Sequence, residues 1–276
     1  MTNKITVKET NTTIFFNTKY DSTIKMCMLG KSGSGKTRLL TGMILPVIWK
    51  EYRFIYLIHG VKYQNNPYKS LIHDNHQFYC QDADQINGTM NNIKEYAEYL
   101  NSDIVKNKIP ENHRKILIIC DDLGESGSKS SLIDDCFIKH RHLGIGIIML
   151  GQKYTFFSTT ARGNCTHLSF SSLEDIENML HKTYKLNFPH KLVSEIYLKY
   201  NNERMQNNLI LCLDDCRENR ISIVNKNDIV PKYTNILKYT YSKIQYAIQN
   251  KCELCKDASI CGHVYDSNST TYYLSR

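Results

Sequence analysis

The chain has 276 residues, which is enough for one large α/β domain or for one domain with an appendage. Its 35 basic and 27 acidic residues give a formal net charge of +8, which suits a polyanionic partner such as nucleic acid without requiring one. No apolar run approaches the roughly 18 residues of a spanning helix and the N-terminal segment lacks signal-peptide order, so we expect a soluble, intracellular protein with no membrane span.

Apolar, β-rich runs recur along the chain with helical patterns between them, which is typical of βαβ units. This alternation predicts an α/β fold with a central, mostly parallel sheet flanked by helices. The main strand candidates are 23–29, 53–59, 115–120, 144–150 and 166–170. The helix candidates are Arg38–Trp49, a segment in which Met90, Ile93, Ala97 and Leu100 recur at helical spacing, and a short one carrying Leu132, Ile133, Cys136 and Phe137.

The first strand candidate runs directly into the sequence GKSGSGKT, which fits G-x-x-x-x-G-K-[ST] at every fixed position. Its glycines let the backbone turn so that successive N–H groups point at phosphate oxygens, and the helix that follows adds its N-terminal partial charge. A Gly/Ser-rich turn that carries Lys-Thr by chance is the alternative, which the flanking strand and helix disfavour. The candidate nucleotide-binding residues are Gly30, Lys31, Ser32, Gly33, Ser34, Gly35, Lys36, Thr37 and Arg38.

Two side chains of this loop have specific expected roles. Lys36 is expected to reach the β- and γ-phosphates of ATP, because this lysine is the charged side chain of the motif. The hydroxyl group of Thr37 is expected to ligate Mg²⁺.

The segment KILIICDD at 115–122 has the pattern of a buried parallel strand that ends in two carboxylates. Ligands in open α/β sheets bind at the carboxyl ends of the strands. We therefore expect Asp121 to hold Mg²⁺ and Asp122 to orient or deprotonate the attacking water. The alternative is a turn or helix cap before Gly124, where aspartate is common.

The strand candidate 144–150 is followed by Gln152, whose amide could contact the γ-phosphate or the nucleophilic water. Arg162 and Arg141 are candidates for an arginine finger supplied to a neighbouring subunit, although an ordinary surface salt bridge is the alternative for both. No carboxylate occurs from Cys136 to Leu173, so this segment is locally cationic and suits contact with phosphates of ATP or of a nucleic acid.

The pattern changes after the last of these strands. Ser172 and Asp175 resemble a capping box that opens a helix over Leu173–Lys182. Two short strands, 208–213 and 220–224, flank a polar turn and predict a hairpin or a sheet-edge pair. A further helix is expected from Pro231 to about Asn250.

The ten cysteines fall into two groups. Cys27, Cys120 and Cys212 lie in apolar runs, where a thiol behaves as a small hydrophobic side chain, so the sequence indicates a reducing compartment and no disulfide framework. The tail instead places cysteines and a histidine in a C-x₂-C-x₅-C-x-H arrangement that offers four ligands to a structural Zn²⁺. A loose terminus with unligated thiols remains the alternative. The candidate zinc ligands are Cys252, Cys255, Cys261 and His263.

The order of GKSGSGKT, ILIICDDLGE, KHRHLGIGIIMLGQKYTFFSTTARGNCTHLSF and EDIENML resembles that of the genome-packaging ATPases of poxviruses and related large DNA viruses, in the FtsK–HerA superfamily. The likeness covers roughly residues 20–225. It implies a P-loop NTPase fold of the ASCE type, which is defined by an additional strand in the sheet. It also implies that Gln152 is the sensor residue, which responds to the γ-phosphate. The family's arginine finger falls on Arg162 or Arg141, and Arg162 is preferred because its Arg-x-Asn context follows the sensor strand.

This chain departs from the superfamily at one catalytic position. Many members carry Asp-Glu where this chain has Asp121-Asp122, so the shorter second carboxylate leaves the role of Asp122 open. The chain also has no evident separate DNA-gripping domain, and we expect the DNA contacts to come from loops of the core or from the C-terminal part.

The resemblance implies a homo-oligomeric ring, a hexamer or pentamer, that uses ATP to move double-stranded DNA into a capsid or immature virion without reading sequence. Capsid or virion assembly proteins are then the partners, and the host cytoplasm at the assembly site or the virion is the location. A P-loop nucleoside or nucleotide kinase and an ATP-switched scaffold are the competing functions. We divide the chain into an N-terminal segment (1–22), an ATPase domain (23–250) and a C-terminal tail (251–276). The tail is the small Cys/His-rich appendage that contains the candidate zinc site.

Overall fold

The computed structural model of the chain describes residues 4–9, 23–48, 51–69, 71–108, 111, 114–181, 190–201, 207–213, 218–225, 263–265 and 272–274. The helix expected from Pro231 lies outside these residues, as do Cys252, Cys255 and Cys261. Only the backbone of His263 is described, so the zinc hypothesis stays a prediction.

The described strands form one large sheet and one small antiparallel pair, β10 (His263–Tyr265) with β11 (Tyr272–Leu274). The strands of the large sheet are β1 (Lys4–Glu9), β2 (Lys25–Leu29), β3 (Phe54–His59), β4 (Gln77–Tyr79), β5 (Ile116–Asp121), β6 (Ile145–Gly151), β7 (His167–Phe170), β8 (Asn207–Cys212) and β9 (Glu218–Asn225). Their spatial order is β1-β9-β8-β7-β2-β6-β5-β3-β4. Strand β8 is antiparallel to both neighbours, and the other neighbouring strands of this sheet pair in parallel.

The position of β6 brings the two candidate motifs to the same edge of the sheet. This strand lies between β2 and β5, with Gly151 in register with Leu29 and Leu150 in register with Asp121. Because the three strands are parallel, their carboxyl ends align. The phosphate loop, the two aspartates and Gln152 therefore begin at neighbouring points of one sheet edge.

Helices cover both faces of the sheet. The described α-helices are α1 (Lys36–Leu39), α2 (Leu45–Ile48), α3 (Ala83–Leu100), α4 (Asp103–Lys106), α5 (Gly124–Ser128), α6 (Ser131–Ile138), α7 (Thr159–Asn164), α8 (Leu173–Ile176) and α9 (His190–Tyr200). A π-helical turn, Leu40–Ile44, joins α1 to α2, and a second one, Glu177–His181, extends α8. Short 3₁₀ turns occur at Asp74–His76, His140–Leu143 and Tyr154–Phe156.

Two apolar clusters, one for each face, form the core. Along β2, Cys27 and Leu29 pack in the cluster that includes α3, whereas Met26 and Met28 pack in the cluster that includes α1 and the first π-helical turn. Burial on both faces explains why β2, β5 and β6 appear in the sequence as continuous apolar runs. Cys27, Cys120 and Cys212 are buried in the core, as the sequence predicted.

Most of the predicted elements are confirmed, with some differences. The helix expected from Arg38 is present through Ile48, with a π-helical middle, and the hairpin of β8 and β9 is also present. It is not a sheet edge, because β1 pairs with the outer side of β9. The short strand β4 and the strand β1 were not predicted. Among the described helices, none is long and apolar enough to cross a membrane.

Candidate nucleotide-binding and catalytic site

The loop at 30–37 connects the end of β2 with the start of α1. Gly33 and Gly35 have φ angles of 74° and 91°, in the left-handed region that side chains with a Cβ rarely adopt. The turn is closed by the amide of Ser34, which donates to the carbonyl of Lys31 at 3.1 Å. No side chain caps the start of α1, which leaves backbone amides of the loop for a bound anion.

Lys36 is buried and folds back over its own loop. Its Nζ donates to the carbonyl oxygens of Gly30 at 2.6 Å and Lys31 at 3.1 Å. Burial lowers the pKa of the ammonium group, whereas the carboxylates of Asp122, Asp121 and Asp175 act in the opposite direction. Lys36 is thus a cation held beside the loop that phosphates would occupy, with carboxylates on its other side.

Asp121, at the end of β5, is buried and strongly hydrogen-bonded. Its Oδ2 accepts a hydrogen bond of 2.7 Å from the hydroxyl of Tyr63 and another of 2.7 Å from that of Tyr68. Burial raises the pKa of this carboxyl, and the two tyrosine hydrogen bonds and Lys36 partly offset that effect. Burial raises the pKa of the Tyr68 phenol well above its ordinary value, and the side chain of Thr37, the other expected magnesium ligand, acts on it in the opposite direction.

The oxygens of Thr37 and Asp121 fit Mg²⁺, a hard cation that is usually held by one or two carboxylates together with phosphates and water. In the described part of the chain, no group of three or more His, Cys, Asp or Glu residues could hold a metal ion. Thr37 and Asp121 alone would leave most of the coordination shell of Mg²⁺ to water and phosphate oxygens.

Asp122 and Gln152 meet across the ends of β5 and β6. The Nε2 of Gln152 donates to Asp122 Oδ1 at 3.2 Å. Asp122 has a φ of 51°, an uncommon value for a residue other than glycine, and its side chain is half-buried. This positive φ occurs directly after the end of β5, and the Asp122 carboxylate lies beside the side-chain amide of Gln152, the first residue after β6.

Two further residues of the site were not identified as functional from the sequence. Asp175, expected only as part of a capping box, does accept from Ser172 at 2.6 Å, but it is also buried close enough to influence Lys36. Ser171 lies against the start of the loop, where its Oγ donates to the carbonyl of Leu29 at 3.3 Å. The position of both residues directly after a parallel strand, β7, was the available signal.

A cavity of about 440 Å³ opens beside the first residues of the loop. Charged or amide side chains from three segments of the chain line it. Its lining residues include Lys31, Ser32, Gln152, Lys153, Tyr154 and Asp175. The ion pair of Lys31 with Glu174, 3.4 Å long, lies at its exposed rim and contributes little to stability.

The two candidate arginines lie on different elements, Arg141 before β6 and Arg162 in α7. Arg162, in α7, donates to the carbonyl of Ser158 at 3.3 Å and to Thr159 Oγ1 at 3.1 Å, and its guanidinium lies 5.3 Å from the ring centre of Tyr154. Since Tyr154 lines the cavity, Arg162 is close to the site. Arg141 lies in the 3₁₀ turn before β6, and the structure does not bring it to the site of its own subunit.

A family model described as Poxvirus A32 protein matches residues 13–250 of the chain. The chain is 32% identical over 161 residues to the DNA packaging protein OPG160 of Vaccinia virus (strain Copenhagen), and the aligned region covers 56% of each protein. It is equally similar to the OPG160 protein of Monkeypox virus, where the match covers 56% of this chain and 51% of that protein. The chain thus spans about half the length of the curated relatives it matches.

Solved structures with the same fold come from more distant proteins. The DNA-packaging ATPase B204 from Sulfolobus Turreted Icosahedral Virus superposes with a TM-score of 0.51 and 15% identity, over 73% of this chain and 97% of B204. EssC (ATPases 2 and 3) from Geobacillus thermodenitrificans gives a TM-score of 0.51 and 13% identity, over 79% and 44% of the two chains. At these identities the similarity establishes the fold and not the activity.

Proposed function

Because the chain belongs to the Poxvirus A32 protein family, we propose that it is an ATP-hydrolysing motor that packages viral double-stranded DNA into a capsid or immature virion. The observation that carries the proposal is the convergence of Lys36, the Asp121–Asp122 pair and Gln152 at the carboxyl ends of three adjacent parallel strands. The relatives from Vaccinia virus and Monkeypox virus are named DNA packaging proteins, which supports the proposal. The position of β6 between β2 and β5 supports the ASCE-type assignment.

The loop residues Gly30–Arg38 hold the triphosphate in this proposal. The backbone amides around Gly33 and Gly35 bind phosphate oxygens, and Lys36 exchanges its two carbonyl partners for the β- and γ-phosphates. Mg²⁺, when bound by Thr37 and Asp121, neutralises charge on the phosphates.

Asp122 and Gln152 prepare the nucleophile. The carboxylate of Asp122 accepts a hydrogen bond from water and orients it toward the γ-phosphate. The amide of Gln152 fixes Asp122 Oδ1 in place, which compensates for an acidic side chain that is one methylene shorter than glutamate. Gln152 also lines the cavity beside Ser32, so its position can respond to the γ-phosphate.

Movement of DNA requires more than one subunit in this scheme. We place the nucleotide between subunits of a hexameric or pentameric ring, with Arg162 of one subunit completing the site of its neighbour. Basic side chains of the same region, such as Lys153, contact DNA phosphates and read no sequence.

The decisive experiment measures ATP hydrolysis with and without double-stranded DNA, together with the molecular mass in solution. We expect DNA-stimulated hydrolysis by an oligomer, and a decrease of about 100-fold or more in turnover for Lys36→Ala. Lys94→Ala, which removes a partly exposed lysine of α3 that pairs with Glu98, serves as the matched control. Wild-type turnover by Lys36→Ala contradicts the proposal, and turnover that needs a nucleoside acceptor favours the kinase.

A further inference from the structure

Two phenol groups share one oxygen of the acidic residue at the end of β5. Tyr63 and Tyr68 each donate to Asp121 Oδ2 at 2.7 Å, although they are 58 and 53 residues away in sequence. Tyr68 is fully buried and Tyr63 is half-buried. Because hydrogen bonds to an ionised carboxylate are about twice as strong as neutral ones, this pair restrains the carboxylate plane.

The segment that carries these tyrosines is itself held in place. Asn66 Oδ1 accepts from the backbone amide of Tyr68 at 2.9 Å, and Asn66 Nδ2 donates to Gln77 Oε1 at 2.6 Å. Gln77 in turn donates to the carbonyl of Ile72 at 2.6 Å. These hydrogen bonds connect the segment that carries the two tyrosines with β4. They restrain its backbone, and therefore the position from which the phenols contact Asp121.

We propose that Tyr63 and Tyr68 are positioning residues that hold Asp121 for magnesium, an inference that rests on the proposed ATPase function. With Oδ2 fixed by two donors, Oδ1 is the oxygen left to face the cation or its bound water. Ligand-orienting groups of this kind typically change metal affinity by about 10- to 100-fold when they are removed.

Because Tyr68 is more deeply buried than Tyr63, we expect the two hydroxyls to contribute unequally to Mg²⁺ binding at Asp121. Water can replace the half-exposed Tyr63 hydroxyl only in part, so Tyr63→Phe is expected to keep a smaller Mg²⁺-specific effect. Loss of the buried Tyr68 hydroxyl leaves Asp121 without a donor that water does not readily replace. Tyr68→Phe is therefore expected to be more harmful than Tyr63→Phe, and the double variant is expected to be more harmful than either.

The test is the equilibrium binding of a fluorescent, non-hydrolysable ATP analogue, measured during a Mg²⁺ titration and again in excess EDTA. We expect Tyr68→Phe to raise the half-saturating Mg²⁺ concentration by about tenfold and to leave the affinity in EDTA unchanged. Tyr52→Phe is the matched control. It also removes a buried phenol hydroxyl, one that accepts from the amide of Ile24 at 2.6 Å near the opposite end of β2.

Two results would overturn the inference. One is a wild-type Mg²⁺ titration for the Tyr63→Phe/Tyr68→Phe protein, and the other is an equal loss of affinity with and without Mg²⁺, which indicates a structural role. Thermal unfolding without nucleotide checks that each variant folds. If Tyr68→Phe does not fold, the half-exposed Tyr63→Phe decides, since a Mg²⁺-specific shift supports the inference and its absence overturns it.

Failure of the inference is distinguishable from failure of the proposed function. Wild-type turnover by Lys36→Ala removes the ATPase proposal itself. An inactive Lys36→Ala protein combined with an unchanged Mg²⁺ dependence of the tyrosine variants removes only the role of the two tyrosines.

Discussion

At the scale of single residues, the start of the phosphate loop depends on a close approach between backbone and side chains. A Cβ added to Gly30 would lie 1.9 Å from the Oγ of Ser171 and 2.6 Å from the Oγ of Ser34. Contacts this short are far inside van der Waals distance, so a side chain at position 30 must displace its neighbours. Both hydroxyls can rotate, but Ser171 Cβ would still lie 3.1 Å from the added atom, so packing after β7 favours glycine here in addition to the motif.

We predict that Gly30→Ala lowers kcat/KM for ATP by about 10- to 100-fold, because an ångström-scale shift of the loop misplaces the phosphates. Ser171→Gly in the same protein removes the nearest obstruction and is expected to restore most of the activity. Ser171→Gly alone is the control, since it loses one long hydrogen bond to Leu29. Steady-state kinetics that show the double variant to be as impaired as Gly30→Ala contradict this explanation.

At the scale of elements, α3 shows how closely an amphipathic pattern can predict a helix. Ile86, Met90, Ile93, Ala97 and Leu100 are all buried on one face and pack in the apolar cluster of that side of the sheet. The helix begins with Asp82, whose side chain accepts from the amide of Gln85 at 2.8 Å. Both features are local, and the sequence contains them in full.

Gly88 is exposed in the interior of α3, where an added Cβ meets no atom within 4 Å. We predict that Gly88→Ala raises the free energy of unfolding by about 0.5–1 kcal/mol, because alanine loses less backbone entropy in a helix. The measurement is urea unfolding, with stability taken from the midpoint and the slope.

The matched control has the same free space and the opposite backbone conformation. Gly124, the first residue of α5, also meets nothing within 4 Å, but its φ is 58°. Gly124→Ala is expected to lose about 1–2 kcal/mol, since an L-residue is strained in the left-handed region. A stabilised Gly124→Ala protein, or a destabilised Gly88→Ala protein, contradicts the argument.

The predictions from sequence failed where structure depends on distant pairing. The strands buried on both faces were found from continuous apolar runs, and the phosphate loop from its fixed spacing. Strand β1 was missed because it is defined by parallel pairing with β9, more than 200 residues later, as in Lys4 with Glu218. Tyr63 and Tyr68 were missed for the same reason, since no local motif connects them with Asp121.

At the scale of the whole molecule, the sheet separates the cationic segment between α6 and β7 into two regions. Lys139 and Arg141 precede β6, whereas Lys153 and Arg162 follow it. Seven residues of extended strand separate the two ends of β6 by about 20 Å. Lys153 lines the cavity beside the phosphate loop, and the guanidinium of Arg162 lies 5.3 Å from the ring of Tyr154, which also lines it, so Arg162 is the first of the two arginines to test at a subunit boundary.

Mixing two inactive variants tests that assignment. Arg162→Ala subunits keep Lys36, and Lys36→Ala subunits keep Arg162, so a head-to-tail ring that mixes them randomly in equal amounts has both groups at about one quarter of its interfaces. We expect each variant alone to be inactive and the mixture to recover a corresponding fraction of wild-type hydrolysis, measured on assemblies whose mass confirms the ring.

The same mixture with Arg141→Ala in place of Arg162→Ala separates the two arginines. If Arg162 is the finger, Arg141→Ala retains hydrolysis on its own, because Arg162 is unchanged in that variant. If the Arg162→Ala mixture stays as inactive as its components, Arg162 does not act across the boundary. Its contacts with Ser158 and Thr159 then describe a role within one subunit, in fixing the short helix beside the cavity.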